Sequence, residues 1–367
     1  MRKLGAAVAT SLFFATAATA QTSQVQGPVT GSSVTLFGVA DATIAYGTGS
    51  IGTLTQLTSG GNTTSRLGFR GVEDLGGGLA AGFWLEFGYN VDDGTGVATN
   101  SNNQPNGSVP GFNMNRRSTV SLMDLWGEMR LGRDFTATYR NRDQTDPFST
   151  NGVGASQPYV GSIAGTTATR ASNMIGYFLP NSLGGFFGEV QYFMGENVHG
   201  VPGVPDVNSG NGYAARVGYA SGPFAAAVST GKTLYARTLT TGDIPVVNVG
   251  ASWDFDVVKV TAGYFHDKVD QFFPVTGTGY IAGAIMPVLK VDQLKFSYSV
   301  YGTNAIGDPR AYKYALGYVY NFSKRTAVYT TVAYVNNKGG STVAVNGSIT
   351  GPNQSSHGYD FGLKHSF

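Results

Sequence analysis

Residues 312–322 read YKYALGYVYNF. In an extended chain Tyr312, Tyr314, Leu316, Tyr318, Tyr320 and Phe322 share one face, and Lys313 and Asn321 take the other. One face suits lipid and the other suits water. The same period of two recurs on both sides of this stretch. Leu294, Phe296, Tyr298 and Val300 oppose Lys295, Ser297 and Ser299. Val258, Val260, Ala262 and Tyr264 oppose Lys259 and Thr261, and Phe83, Leu85 and Phe87 oppose Trp84 and Glu86. At the C-terminus Tyr359, Phe361, Leu363 and Phe367 oppose Asp360, Lys364 and Ser366. Strands near 171–180, 278–289 and 326–337 carry apolar residues on both faces, so the pattern assigns them no facing.

Composition agrees with strands that show lipid only every second residue. Charged residues make up 13% of the 367-residue chain, against about 25% in ordinary soluble domains. Glycine occurs 53 times and aromatics reach 12%, while mean hydropathy stays close to zero. Few charges and many aromatics, without a long apolar run, fit a transmembrane barrel. A soluble double sheet would need an apolar inner face, and here one face of most strands carries Arg, Lys, Glu, Ser and Thr. The chain has no cysteine, which excludes disulfides, thiolate catalysis and cysteine metal sites.

Residues 1–20 read as a signal peptide: Arg2 and Lys3, a short apolar run from Leu4 to Phe14, then Ala18-Thr19-Ala20. Without Arg2 and Lys3, 22 basic residues face 22 acidic ones. That balance argues against nucleic acid as a partner. Residues 21–33 are polar and form a lead-in, and 34–367 form the barrel.

The connections alternate in length. Seven short turns fall near 73–78, 123–124, 181–185, 220–222, 254–256, 290–292 and 323–325. Eight longer loops fall near 47–62, 91–115, 134–170, 196–211, 231–243, 269–277, 304–310 and 338–356. Fifteen connections join sixteen antiparallel strands, with short turns on one rim and long loops on the other. Unpaired backbone groups in hydrocarbon cost several kcal/mol each, so the sheet must close. A barrel of sixteen strands is too wide for side chains to fill. The loop 134–170 is too long for a turn and too polar for a core, and loops of that length are usually functional or disordered. It is expected to fold into the barrel and set the width and charge of a water-filled hole.

Six stretches in order resemble the general-diffusion porins of the Gram-negative outer membrane, and most closely the β-proteobacterial branch. They are SSVTLFGVADATIAYG, TSRLGFRGVEDLGGGLAAGFWLEFGYN, NRRSTV, LGRD, DPF and the terminal YDFGLKHSF. The resemblance implies a homotrimer of sixteen-stranded barrels, set among outer-membrane lipid and lipopolysaccharide, with the third loop folded inward as a constriction. It implies a basic wall of Arg66, Arg70, Arg117, Arg133 and Arg170 facing loop acids Asp143 and Asp146. It also implies that Phe367 is the signal read by the barrel-assembly machinery. Asp124-Leu125-Trp126 departs from the glycine-rich turn usual in this branch, and residues 21–33 are longer than usual.

On the strands that alternation orients, nine basic positions face inward: Arg66, Arg70, Arg117, Arg130, Arg216, Lys259, Lys295, Lys313 and Lys364. Six acids join them: Asp41, Glu86, Glu128, Glu189, Asp254 and Asp360. The excess is positive, which favours a modest anion preference. Some inward arginines, Arg130 foremost, could simply pair with Glu86 and Glu128 and tie strands together. A solute-selective channel of the same fold, for phosphate, nucleotides or organic acids, is the alternative. Neither a nucleophile with a base in reach nor histidines at metal spacing occur, so no enzyme, metal or cofactor is expected.

Overall fold

The computed structural model describes residues 31–198, 207–289 and 291–367. The signal segment 1–20, most of the 21–33 lead-in and His199 lie outside them. The chain lays down β1 (Ser33–Gly49), β2 (Thr53–Ser59), β3 (Arg66–Gly76) and β4 (Leu79–Gly88). A small ribbon of β5 (Thr99–Asn100) and β6 (Ser108–Val109) follows. Next come β7 (Arg117–Asp124), β8 (Gly127–Phe135), β9 (Arg170–Phe178), β10 (Phe186–Phe193), β11 (Gly212–Ser221) and β12 (Phe224–Thr233). The wall ends with β13 (Ile244–Asp254), β14 (Lys259–Val269), β15 (Val275–Val288), β16 (Asp292–Thr303), β17 (Arg310–Asn321), β18 (Thr326–Lys338) and β19 (Ser356–Ser366).

Each wall strand pairs antiparallel with its sequence neighbour, and β19 pairs back onto β1 from Val39–Ser366 to Gly49–Ser356. That pairing leaves no open edge, as hydrocarbon requires. β2 pairs with Ala42–Thr48 of β1 and β3 with Ser33–Val39, so the two are one wall strand interrupted at 60–65. The wall therefore has sixteen strands, all antiparallel.

Alternation places the side chains as read from the pattern. On β17, Tyr314, Leu316 and Tyr320 are exposed on the outer surface, while Lys313, Ala315 and Val319 are buried inside. Ring pairs gather beside the short turns: Trp126–Tyr177, Phe186–Tyr219, Phe224–Trp253 and Tyr320–Phe322. This is the aromatic belt of a membrane interface.

The structure settles the three strands that the pattern left open. Met174 and Phe178 of β9, Ile281 of β15 and Ala327, Tyr329, Ala333 and Val335 of β18 point inward. Ala333 and Val335 are apolar because Phe148 and Val153 of the third loop and Val345 of the last loop pack on them. Two expectations need correction. Residues 47–62 are not a long loop: β1 runs to Gly49 and β2 starts at Thr53, so the connection is tight. The strand is interrupted instead at 60–65, where the N–H groups of Asn62 and Thr63 donate to Asp41 at 3.0 and 2.7 Å. The turn expected at 123–124 lies instead at Leu125-Trp126, since β7 runs to Asp124 and β8 begins at Gly127.

Candidate functional site

The third loop leaves β8 at Thr136 and rejoins the wall at Arg170. Its first turn is α1 (Ala137–Asp143), capped by the Thr136 hydroxyl, which accepts from the Tyr139 N–H at 3.4 Å. The loop then hugs the inner wall. Asn141 donates to Asn248 of β13 at 2.6 Å, and Thr261 of β14 donates to the Thr145 carbonyl at 2.7 Å. The Val153 N–H donates to Asp360 of β19 at 2.6 Å, and Lys313 of β17 donates to the Ala155 carbonyl at 2.7 Å. A single turn, α2 (Gln157–Val160), sits on β15 to β17, with the Gln157 N–H on Ser299 at 3.0 Å. The loop thus packs on β10 to β19, and its Arg140 reaches back to Asp134 of β8.

A ladder of shared ion pairs runs along the inner wall from β3 to β11. Glu86 holds Arg66 at 3.8 Å and also accepts a short hydrogen bond from Arg116. Arg130 bridges Glu128 at 2.8 Å and Asp134 at 2.5 Å, and Arg117 reaches the same two acids at 4.0 and 3.6 Å. Arg140 of α1 joins Asp134 at 2.8 Å to Glu189 at 3.2 Å, and Arg216 approaches Glu189 at 4.0 Å. Six arginines therefore share four carboxylates. Several guanidinium groups also lie over rings: Arg117 over Trp84 at 4.6 Å and Arg130 over Phe178 at 4.0 Å. A guanidinium fork can bond two acids and stack on a ring together, which a lysine cannot.

The residues named from sequence divide here. Arg66, Arg117, Glu86, Glu128 and Arg130 stand in the ladder. Arg170 lies beside it, stacked on Phe135 at 4.2 Å. Arg70 is exposed lower on β3, against Phe37 and Trp84, away from these pairs. Arg133 donates to the carbonyls of Asn115 and Asn100 and to Ser172, at 2.7, 3.0 and 2.8 Å, and so fastens the 89–116 loop to β9. Asp146 is buried and turned into its own loop, accepting from the N–H groups of Phe148 and Ser156 at 2.9 Å each. Asp143 is half-buried, with no cation within 4 Å among the described residues. Burial, with Asp146 alongside, pushes its carboxyl up to about 6, against the pull of Arg140, Arg116 and Arg66. Arg116, Asp134 and Arg140 are ladder members that the sequence reading did not select as site residues. Phe367 completes the seam, its N–H donating to the Gly38 carbonyl at 3.1 Å and its carbonyl accepting from the Gly38 N–H at 3.0 Å.

The family description "Gram-negative porin" matches residues 5–340. This chain belongs to the Gram-negative porin family. It is a protein of the outer membrane. The porin is 36% identical to outer membrane porin protein 32 of Delftia acidovorans over 353 residues, covering 92% of this chain and 94% of that one. Its fold matches the anion-selective porin from Comamonas acidovorans with a TM-score of 0.81 at 35% identity, over 92% of this chain and all of the other. The OmpT of Vibrio cholerae, folded in vitro and solved in trimer form, shares the fold at 15% identity with a TM-score of 0.66, over 92% of this chain and 100% of that one.

Proposed function

We propose that this porin is a water-filled diffusion channel for small hydrophilic solutes and ions, with a modest preference for anions. The observation that carries the reading is the ladder: six arginines, Arg140 of the third loop among them, share four carboxylates along the inner wall from β3 to β11. Lys295, Lys313 and Lys364 add positive charge on β16, β17 and β19. One charge about 10 Å from a passing ion in a water-like medium changes its population about twofold. A solved relative described as an anion-selective porin supports the same sign.

The constriction is assigned to Arg66, Arg116, Arg117 and Arg170 on one side and to Arg140 and Asp143 of α1 on the other, with Glu86, Glu128 and Arg130 lining the wall beside them. The chain acts as a homotrimer, in line with the trimer form of the Vibrio protein of like fold. It sits among outer-membrane lipid and lipopolysaccharide, and the exposed ring of Phe367 is offered to the assembly machinery. No catalytic role is assigned to Asp143 or Asp146.

The test is the zero-current potential of the purified porin in a planar bilayer across a potassium chloride gradient. An anion preference of about twofold or more is expected. A clear cation preference would overturn the reading. Saturable block by one solute would favour the solute-selective alternative.

A further inference from the structure

The third loop is fastened to the wall mostly through uncharged donors, each gripping one short segment. One wall carboxylate does something different. Asp267 of β14 is fully buried and reaches two parts of the loop that are twenty residues apart. Its Oδ1 lies 3.5 Å from Arg142 Nη2 of α1. Its Oδ2 accepts from the Ser162 hydroxyl on the returning limb at 2.5 Å. The same oxygen accepts from the Tyr301 hydroxyl at 3.0 Å, and that hydroxyl in turn accepts from the Ile163 N–H at 3.1 Å. Ser162 Oγ also accepts from Arg142 at 3.4 Å and from the Ala164 N–H at 3.2 Å. Outgoing helix and returning limb are thus tied to each other and to the wall at one point.

The wall is shaped to allow this. Tyr301 stands on β16, and Asp267 on β14, two strands away. The ring crosses the intervening β15 over Gly279, its register partner, and Gly277, the register partner of Asp267. A Cβ at Gly277 would come within 1.8 Å of the Tyr301 hydroxyl, and one at Gly279 within 2.8 Å of the ring. Gly277 and Gly279 together make the groove that lets the hydroxyl reach the carboxylate.

We infer that Asp267, reached by Tyr301 across the Gly277–Gly279 groove, is the positioning residue that holds the third loop back against the wall and so keeps the passage open. This rests on the channel reading above. Loss of Asp267 leaves Arg142 buried without its partner, a costly state that a displaced loop relieves. The helix and returning limb then separate from β14 and swing into the lumen.

Single-channel recording in planar bilayers separates the possibilities. Asp267→Asn is expected to raise the closed-to-open ratio about tenfold, the loss of a hydrogen-bonded charge. Tyr301→Phe and Gly277→Ala change no charge, and each is expected to raise it about fivefold. A purely structural role would lower barrel melting without altering gating in those barrels that fold. Unchanged gating in Tyr301→Phe and Gly277→Ala, in a protein whose wild type conducts, would overturn the inference. A wild type that carried no current would overturn the channel reading itself.

Discussion

The two sides of the lumen carry the same sign of charge by different means. On one side, arginines share acids in a network that runs from β3 to β11, and Arg117, Arg130 and Arg140 are each held by two carboxylates. Under the third loop the cations are lysines, and they serve the loop. Lys313 is buried with its ammonium on the Ala155 carbonyl, and Lys295 stands 5.9 Å above the Phe148 ring. Arginine's planar fork keeps its charge in place while bonding several acids, whereas a lysine ammonium is a point charge on a flexible stem. The difference assigns ion selection to the arginine side and loop anchorage to the lysine side.

The largest effect should come from breaking the arginine side where its charge meets the loop. Arg66→Gln with Arg116→Gln removes two positive charges and leaves Glu86 without its ion partners. Each charge is worth about twofold in ion population, so the anion preference should fall about fourfold or reverse. The zero-current potential measures it. The shift should shrink at 1 M salt, where the Debye length is about 3 Å. An unchanged potential at low salt would mean that permeating ions do not pass this ladder.

The lysine side should respond less and differently. Lys295→Met removes a charge with no hydrogen-bonded role, and a shift of about twofold in selectivity is expected with steady current. Lys313→Met should give a similar selectivity shift but a noisier current, because the Ala155 carbonyl loses its donor. Equal noise in the two variants would erase the division of labour between the two walls.

Much of this was legible in the alternation, because a barrel wall repeats one signal sixteen times. The signal fails where something other than water covers the inner face. Ala333 and Val335 look like lipid-facing residues until Phe148 and Val153 are seen packed on them. It also fails where Thr53, Thr55 and Gln56 of β2 interrupt the apolar stripe, and a strand reads as a loop. In the site, Arg116 precedes the first residue of β7, so no strand parity applied to it. Asp134 lies beyond Gly132, where the β8–β9 register shifts, and it sits at the loop's mouth. Arg133 shares the parity of outward-facing Leu131, and the structure ties it to loop carbonyls rather than to an acid. Asp146 illustrates a different limit: a carboxylate in a long loop can cap its own backbone, which spacing alone does not reveal.

The smallest effect should come from the one loop acid that faces the arginines without an ion pair. Asp143 is raised to about 6 by burial and by its neighbour Asp146. Above that pH it carries a negative charge opposite Arg66 and Arg116 and offsets part of their field. As pH falls through about 6 the carboxyl gains its proton, the offset disappears, and anion preference rises by up to about twofold. The arginines keep their charge throughout this range, so the change in selectivity belongs to the loop side alone. Asp143→Asn should hold the more anion-preferring state at every pH and abolish the inflection near 6. Zero-current potentials recorded from pH 5 to pH 8 on both proteins decide the matter. An inflection that persists in Asp143→Asn would move the titrating group elsewhere, and Asp146, held by two backbone N–H groups, would be the next residue to neutralise.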